Sequence, residues 1–171
     1  GLGGSDEDDL MMIRPTSYAE NGSRGNTAYG KSSGYYNPNQ ESGGALDLRG
    51  DVARICLYVY TRWGNTSYMW GSSGVMESLD VLIEWMTVDP VDTWEMGKND
   101  AAQSITGVRN VYVDFPELAF QLFGRAVPTG YSSPSLGEGS GTGGETGGET
   151  GGGATDTPTE PEADSTLTIS E

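Results

Sequence analysis

The reading of this chain turns on Asp9-Leu10-Met11-Met12-Ile13-Arg14-Pro15-Thr16-Ser17-Tyr18-Ala19-Glu20-Asn21-Gly22-Ser23-Arg24-Gly25-Asn26. Leu10–Ile13 is a short apolar run with the pattern of a buried strand, and Pro15 closes it. Thr16 or Ser17 can accept a hydrogen bond from a free amide at a helix start. A short helix through Ala19, Glu20 and Asn21 is therefore expected, with Gly22 as its stop. The acidic quartet Asp6-Glu7-Asp8-Asp9 lacks the alternating ligand spacing and closing glutamate of a calcium loop, and reads as a solvated charge run. Ser23–Ala45, rich in Gly, Ser and Asn with Tyr29, Tyr35 and Tyr36 interleaved, is expected to be loop.

Downstream, four stronger helices are expected. The first starts at Asp51, runs through the apolar stretch Val52–Trp63 and ends at Gly64. Ser73 can cap the second, which carries Met76, Leu79, Leu82, Ile83 and Met86 at helical spacing. Asp89-Pro90 combines a cap with a first-turn proline, reinforced by Asp92 and Glu95; that helix runs to about Ile105 and stops at Gly107. Asp114-Phe115-Pro116-Glu117 has the form of a capping box for a last helix through Leu118, Phe120, Leu122 and Phe123. Cys56, the one cysteine, lies in an apolar run and reads as a buried structural thiol. Trp63, Trp70, Trp85 and Trp94 read mostly as core, with base stacking as the competing role.

Composition divides the chain. From Pro134 to Glu171 there are eight acidic residues and no basic ones, so half of the net charge of −16 lies there. The segment has no aromatic residue, repeats Gly-Gly-Glu-Thr, and cannot bury enough apolar surface to fold. Residues 1–130 are thus read as one domain, 131–164 as an acidic Gly/Thr/Glu/Pro linker, and 165–171 as the start of a further domain. The folding part is itself acidic, which argues against a broad phosphate-binding surface. Six of the nine bases nevertheless cluster between Leu10 and Thr66 among four acids, which permits a small basic face. No apolar run reaches the length of a membrane span, and the segment contains no signal peptide.

The sequence contains no histidine, the side chain that most readily serves as a base near neutral pH. It also lacks a nucleophile elbow, a phosphate-cradling glycine motif and a histidine-based metal motif. Residue chemistry alone leads to a mainly helical domain with a linker.

Ordered motifs lead further. The segment from Asp9 to Asn26, with its Leu-x-x-Ile-Arg-Pro and Asn-Gly-x-Arg-Gly-Asn runs, resembles the metal finger of the bacterial endonuclease I family. Gly50-Asp51-Val52-Ala53-Arg54 resembles that family's helix start. Asp89-Pro-Val-Asp-Thr-Trp-Glu95, Asn99, Gly107-Val-Arg109-Asn110 and Asp114-Phe-Pro-Glu117 resemble its closing blocks, in the family's order.

The resemblance implies an α+β, mainly helical fold: a truncated ββα-metal finger of the His-Me type packed on about four helices, followed by a disordered linker. It implies a metal-dependent endonuclease, without sequence preference, that hydrolyses phosphodiester bonds of DNA, with RNA as a further candidate substrate. The cofactor would be Mg2+ or another divalent cation, with Asn21 as an amide-oxygen ligand. The catalytic histidine and an acidic metal ligand are expected upstream of residue 1, within about 15 residues, in a segment like Asn-Arg-Glu-His-x-x-Pro. No catalytic residue is then present in this segment, which is expected to be inactive alone and, with Leu10–Ile13 unpartnered, only marginally stable around the site. The family and the linker imply a bacterial protein that is secreted, periplasmic or on the cell surface.

Each singled-out residue has a plainer reading. Asn21-Gly22 also suits a helix end, and Asn26 reads first as a turn residue. Arg14 reads equally as a phosphate contact or as a partner of the acidic loop. Arg24 reads first as a brace bonding backbone carbonyls, and second as a substrate contact. Arg54 reads as buried against Asp92 or Glu95 in preference to facing the site, and Arg109-Asn110 as fixing an interhelical loop. The competing reading of the whole is a catalytically inactive binding or structural module of a multidomain surface protein, motivated by the missing histidine and the negative domain charge.

Overall fold

The computed structural model describes residues 9–38, 47–64, 69–71 and 74–136. Its centre is the pairing of α2 (Arg49–Trp63) with α3 (Leu79–Val88). α2 buries Val52, Ala53, Cys56 and Leu57, and α3 buries Val81, Leu82, Trp85 and Met86. Both sets recur at the i, i+1, i+4, i+5 spacing that places apolar groups on one helical face. Each such side chain stabilises the fold by about 1.5–3 kcal/mol when fully removed from water. Around this pair stand α1 (Tyr18–Arg24), α4 (Thr93–Thr106), α5 (Val111–Asp114) and α6 (Glu117–Leu122). The mainly helical architecture follows the expectation from sequence.

Several boundaries differ, each for a local reason. α2 starts at Arg49, before Asp51. α3 starts at Leu79, capped by the Ser78 hydroxyl, because Met76 is engaged in β-bridges and cannot join a helix; Ser73 lies outside the described residues. Asp92, not Asp89, caps α4, its carboxylate accepting from the Glu95 amide at 2.8 Å. Asp89 instead ends α3 and accepts at 2.8 Å from the Gly50 amide. Asp114 closes the short α5, which Asn110 caps, and α6 starts at Glu117, with Pro116 at the cap position and no side-chain cap. Ser17 caps α1 as expected, but the helix passes through Gly22 and stops at Gly25, which takes φ 51°.

The expected strand Leu10–Ile13 is a turn. The Met12 amide donates to the Asp9 carbonyl at 3.0 Å, Met11 points into the core, and Met12 and Ile13 remain exposed. The β structure lies elsewhere: isolated bridges link Tyr36, Tyr29, Met76 and Trp70 in a chain. Their amide bonds, such as Tyr29 to the Val75 carbonyl and Glu77 to the Tyr29 carbonyl, fix the tyrosine-rich loop against the α2–α3 pair. Tyr131, read as the first residue of the linker, packs on the body: its ring stands edge-on to Phe120 at 5.0 Å and its hydroxyl donates to the Met86 carbonyl. Ser133 and Ser135 donate to the buried Glu117 carboxylate. Residues 137–164 of the expected linker, and residues 165–171, lie outside the described residues.

Candidate active site

The residues that carry the motifs fall into two groups. One group is a buried polar network. Arg54 is fully buried, donates through Nε to Glu95 Oε1 at 2.8 Å and through Nη1 to the Asp89 carbonyl at 2.8 Å, and also bonds Glu95 Oε2 through Nη2. Gly50 is required beside it, because a Cβ there would lie 1.9 Å from the Asp89 carbonyl oxygen. The Asn110 side-chain amide donates to the Arg54 carbonyl at 3.2 Å, while its backbone amide donates to Asn99 Oδ1 at 2.8 Å. Asn99 in turn donates to Asp114, which Arg109 holds with two N–H groups. Burial of so many polar groups is tolerated because each finds a partner.

Of the two buried partners proposed for Arg54, Glu95 is correct; Asp92 is used as a cap. The surplus of carboxylates has an electrostatic consequence. Burial, with repulsion from Glu95, pushes the Asp51 carboxyl up to about 7 despite attraction to Arg14 and Arg54. Burial likewise pushes Asp89 up to about 6, against the pull of the Gly50 amide and Arg54.

The second group lines a cavity of about 290 Å³ between the segment after the first turn and α2. Arg14, Glu20, Asn21 and Arg24 form its polar wall, and Val52 and Cys56 belong to its apolar side. The turn at its entrance is anchored through Asp9. The Asp9 carboxylate accepts from the Met11 amide, the Tyr58 hydroxyl, Arg62 and Trp63, and these bonds together outweigh burial to hold its pKa below the usual carboxylate range. Lys98 adds a bond to the Met11 carbonyl at 3.0 Å.

Arg14 ion-pairs with Asp51, and its guanidinium sits 4.1 Å from the centre of the Trp94 ring; residues 6–8 of the acidic run lie outside the described residues. Asn21 is exposed on α1. Arg24 does not bond backbone carbonyls as a brace would; it sits over the Tyr29 ring at 4.3 Å, and its Nε is buried without an acceptor. Asn26 is exposed in the turn after α1 and is not part of the cavity wall. The structure thus unites Arg14, Asn21 and Arg24, and sets Arg54 apart in the buried network. Glu20 and Tyr29 were not singled out for the site from sequence, and Trp94, read mostly as core, is 43% exposed beside Arg14. Glu20 directly precedes Asn21, and Tyr29 belongs to an aromatic loop, but neither motif position shows the contact.

The donor set tests what the cavity can hold. Magnesium takes a near-octahedral shell of oxygens. The cavity offers the Asn21 amide and the Glu20 carboxylate, and the latter also accepts from the Thr16 hydroxyl at 3.1 Å. Among the described residues no group of three or more His, Cys, Asp or Glu could hold a metal ion. These residues alone do not fit a magnesium site. Nor does Cys56 offer a nucleophile: burial pushes its thiol up to about 12, which keeps it protonated. What the arrangement can do is present two guanidinium groups and an amide to an anionic ligand.

The family model described as Endonuclease I matches this helical core over residues 45–117, which supports membership of that family. The match contains the whole Arg54–Glu95–Asn99–Asn110 network and stops short of the segment carrying Arg14, Asn21 and Arg24. Among curated proteins, the chain is 30% identical over 133 residues to an extracellular ribonuclease of Bacillus subtilis (strain 168), covering 67% of this chain and 46% of the relative. It is 29% identical over the same length, with the same coverage, to an extracellular ribonuclease of Bacillus amyloliquefaciens. The chain therefore spans about half the length of the curated relatives it matches. No solved structure matches significantly. No helix among the described residues is long and apolar enough to cross a membrane.

Proposed function

We propose that this chain is the scaffold and part of the substrate cleft of a secreted, metal-dependent endonuclease that cuts nucleic acid without sequence preference. The observation that carries the reading is the cavity in which Arg14, Asn21 and Arg24 meet, lying directly against the helix that opens the family-matched core. Guanidinium groups suit phosphate oxygens, and a neutral amide oxygen suits a hard cation shared with the substrate. Asn21 is assigned as one metal ligand. The acidic ligand and the general base are assigned to residues outside this sequence, which contains no histidine. Names of the relatives favour RNA as a substrate, and DNA remains the expectation from the motifs; secretion is likewise supported by the relatives.

The second reading, a catalytically inactive binding module, has its own observation: seven of the nine cations are within ion-pair distance of a carboxylate, leaving little free positive charge for a long polyanion. Incubating the full-length protein with supercoiled plasmid and with single-stranded RNA, in magnesium and in chelator, separates the two. Cleavage that requires the cation and is lost in Asn21→Ala is expected. Full activity in that variant would remove Asn21 from the site, and no cleavage of either substrate by the full-length protein would favour the second reading.

A further inference from the structure

Arg24 stands apart from the other cations of this chain. Seven of the nine sit against a carboxylate, and Lys98 donates to a backbone carbonyl. Arg24 alone meets neither among the described residues, and its Nε is buried with no acceptor. A buried donor left open in a cavity wall costs stability unless something arrives to accept from it. The nearest candidate on its own helix, Glu20 one turn earlier, bonds the Thr16 hydroxyl instead.

The side chain is also held in place. Its guanidinium is 4.3 Å from the centre of the Tyr29 ring. Tyr29 is fixed through its backbone by bonds to the Val75 carbonyl and from the Glu77 amide, and by edge-on packing of Tyr36. A planar fork of donors stacked on a rigid ring is already ordered, so it loses little further entropy on binding an oxyanion. Asn21 lies three residues before Arg24, on the same side of α1 and in the same cavity wall.

We propose that Arg24 binds a phosphodiester oxygen of a nucleic-acid strand in this cavity, and that Tyr29 is the positioning residue that holds it. The assignment rests on the nuclease reading but is measurable without cleavage. A short fluorescent single-stranded oligonucleotide is titrated against the full-length protein in chelator, at several salt concentrations, by anisotropy. Arg24→Gln is expected to weaken binding about tenfold, the loss of one charge-assisted contact. It should also reduce the slope of log Kd against log salt by about 0.7, the release of one counterion from a single strand. Its melting temperature should be unchanged or higher, because an open buried donor disappears. Arg24→Lys should keep the slope with weaker binding, and Tyr29→Leu should weaken binding without altering the slope.

Unchanged affinity and slope in Arg24→Gln, or a lower melting temperature with no change in slope, would overturn the assignment and make Arg24 a structural brace. Displacement of the oligonucleotide by inorganic phosphate beyond that of chloride at equal ionic strength would reassign the site to a free anion. Arg24-dependent binding by a full-length protein that never cleaves would sink the nuclease reading and leave this one standing.

Discussion

Replacing Arg54 with methionine removes the cation around which the family-matched core is arranged. Arg54 is fully buried and supplies two bonds to Glu95, one to the Asp89 carbonyl, and a long contact of 3.4 Å to Asp51. Methionine fills much of the same apolar volume, so the cavity term is small and the loss is chiefly electrostatic. Glu95, only 5% exposed, is left as a buried carboxylate without a cation. Removing one partner of a buried pair costs about 3–5 kcal/mol, while replacing both by apolar groups is often close to neutral. Against a total stability of roughly 5–15 kcal/mol, the single substitution should consume about a fifth or more. With a urea dependence of about 2 kcal/mol per molar for a domain of this size, the midpoint should fall by about 2 M. Arg54→Met/Glu95→Leu should recover most of that loss. Equilibrium urea unfolding followed by tryptophan fluorescence reads both. A loss under about 1 kcal/mol in the single variant, or a double variant no more stable than the single, would refute the assignment of Arg54 as a buried structural charge.

Two further outcomes follow from the same network. Asp51 is raised from its unfolded value of 3.8 to about 7 in the folded chain, and Asp89 to about 6. The folded state therefore holds protons that the unfolded state has already released, so stability should decline as pH rises from about 4 to 7 and level off above. Denaturant midpoints across that range measure it, and Asp51→Asn should flatten the profile; a wild-type profile that instead rises with pH would contradict the burial of these carboxyls. Gly50→Ala should destabilise by more than about 3 kcal/mol, because the new methyl would meet the Asp89 carbonyl 1.9 Å away and must push α2 from the end of α3. A thermal melt within a few degrees of wild type would show that the close approach is not required.

How far the sequence discloses this molecule depends on the range of the interaction. The helices were legible where apolar spacing or a local cap decides them: Gly64 and Gly107 end α2 and α4 in the left-handed region, with φ 65° and 72°, where a glycine is favoured. Ser17 capped α1 as read. The misread boundaries have nonlocal causes. Asp89 looks like a helix cap, yet its carboxylate is taken by Gly50, 39 residues away. Leu10–Ile13 looks like a strand, yet the carboxylate of Asp9 binds α2 and curls the run into a turn. In the candidate site, motif order singled out Arg14, Asn21 and Arg24, and the cavity brings them together. Their immediate partners Trp94, Asp51 and Tyr29 depend on tertiary contacts that no local pattern encodes.

The polar network also bears on how such proteins drift. Gly50, Arg54, Asn99 and Asn110, which fall in the stretch that identifies the family, work on one another in the interior and have no place in the cavity wall. A duplicated copy released from catalytic duty would keep them for as long as it needed to fold. Its ancestry would stay written in the interior while the cleft wall was free to be rewritten for a new ligand.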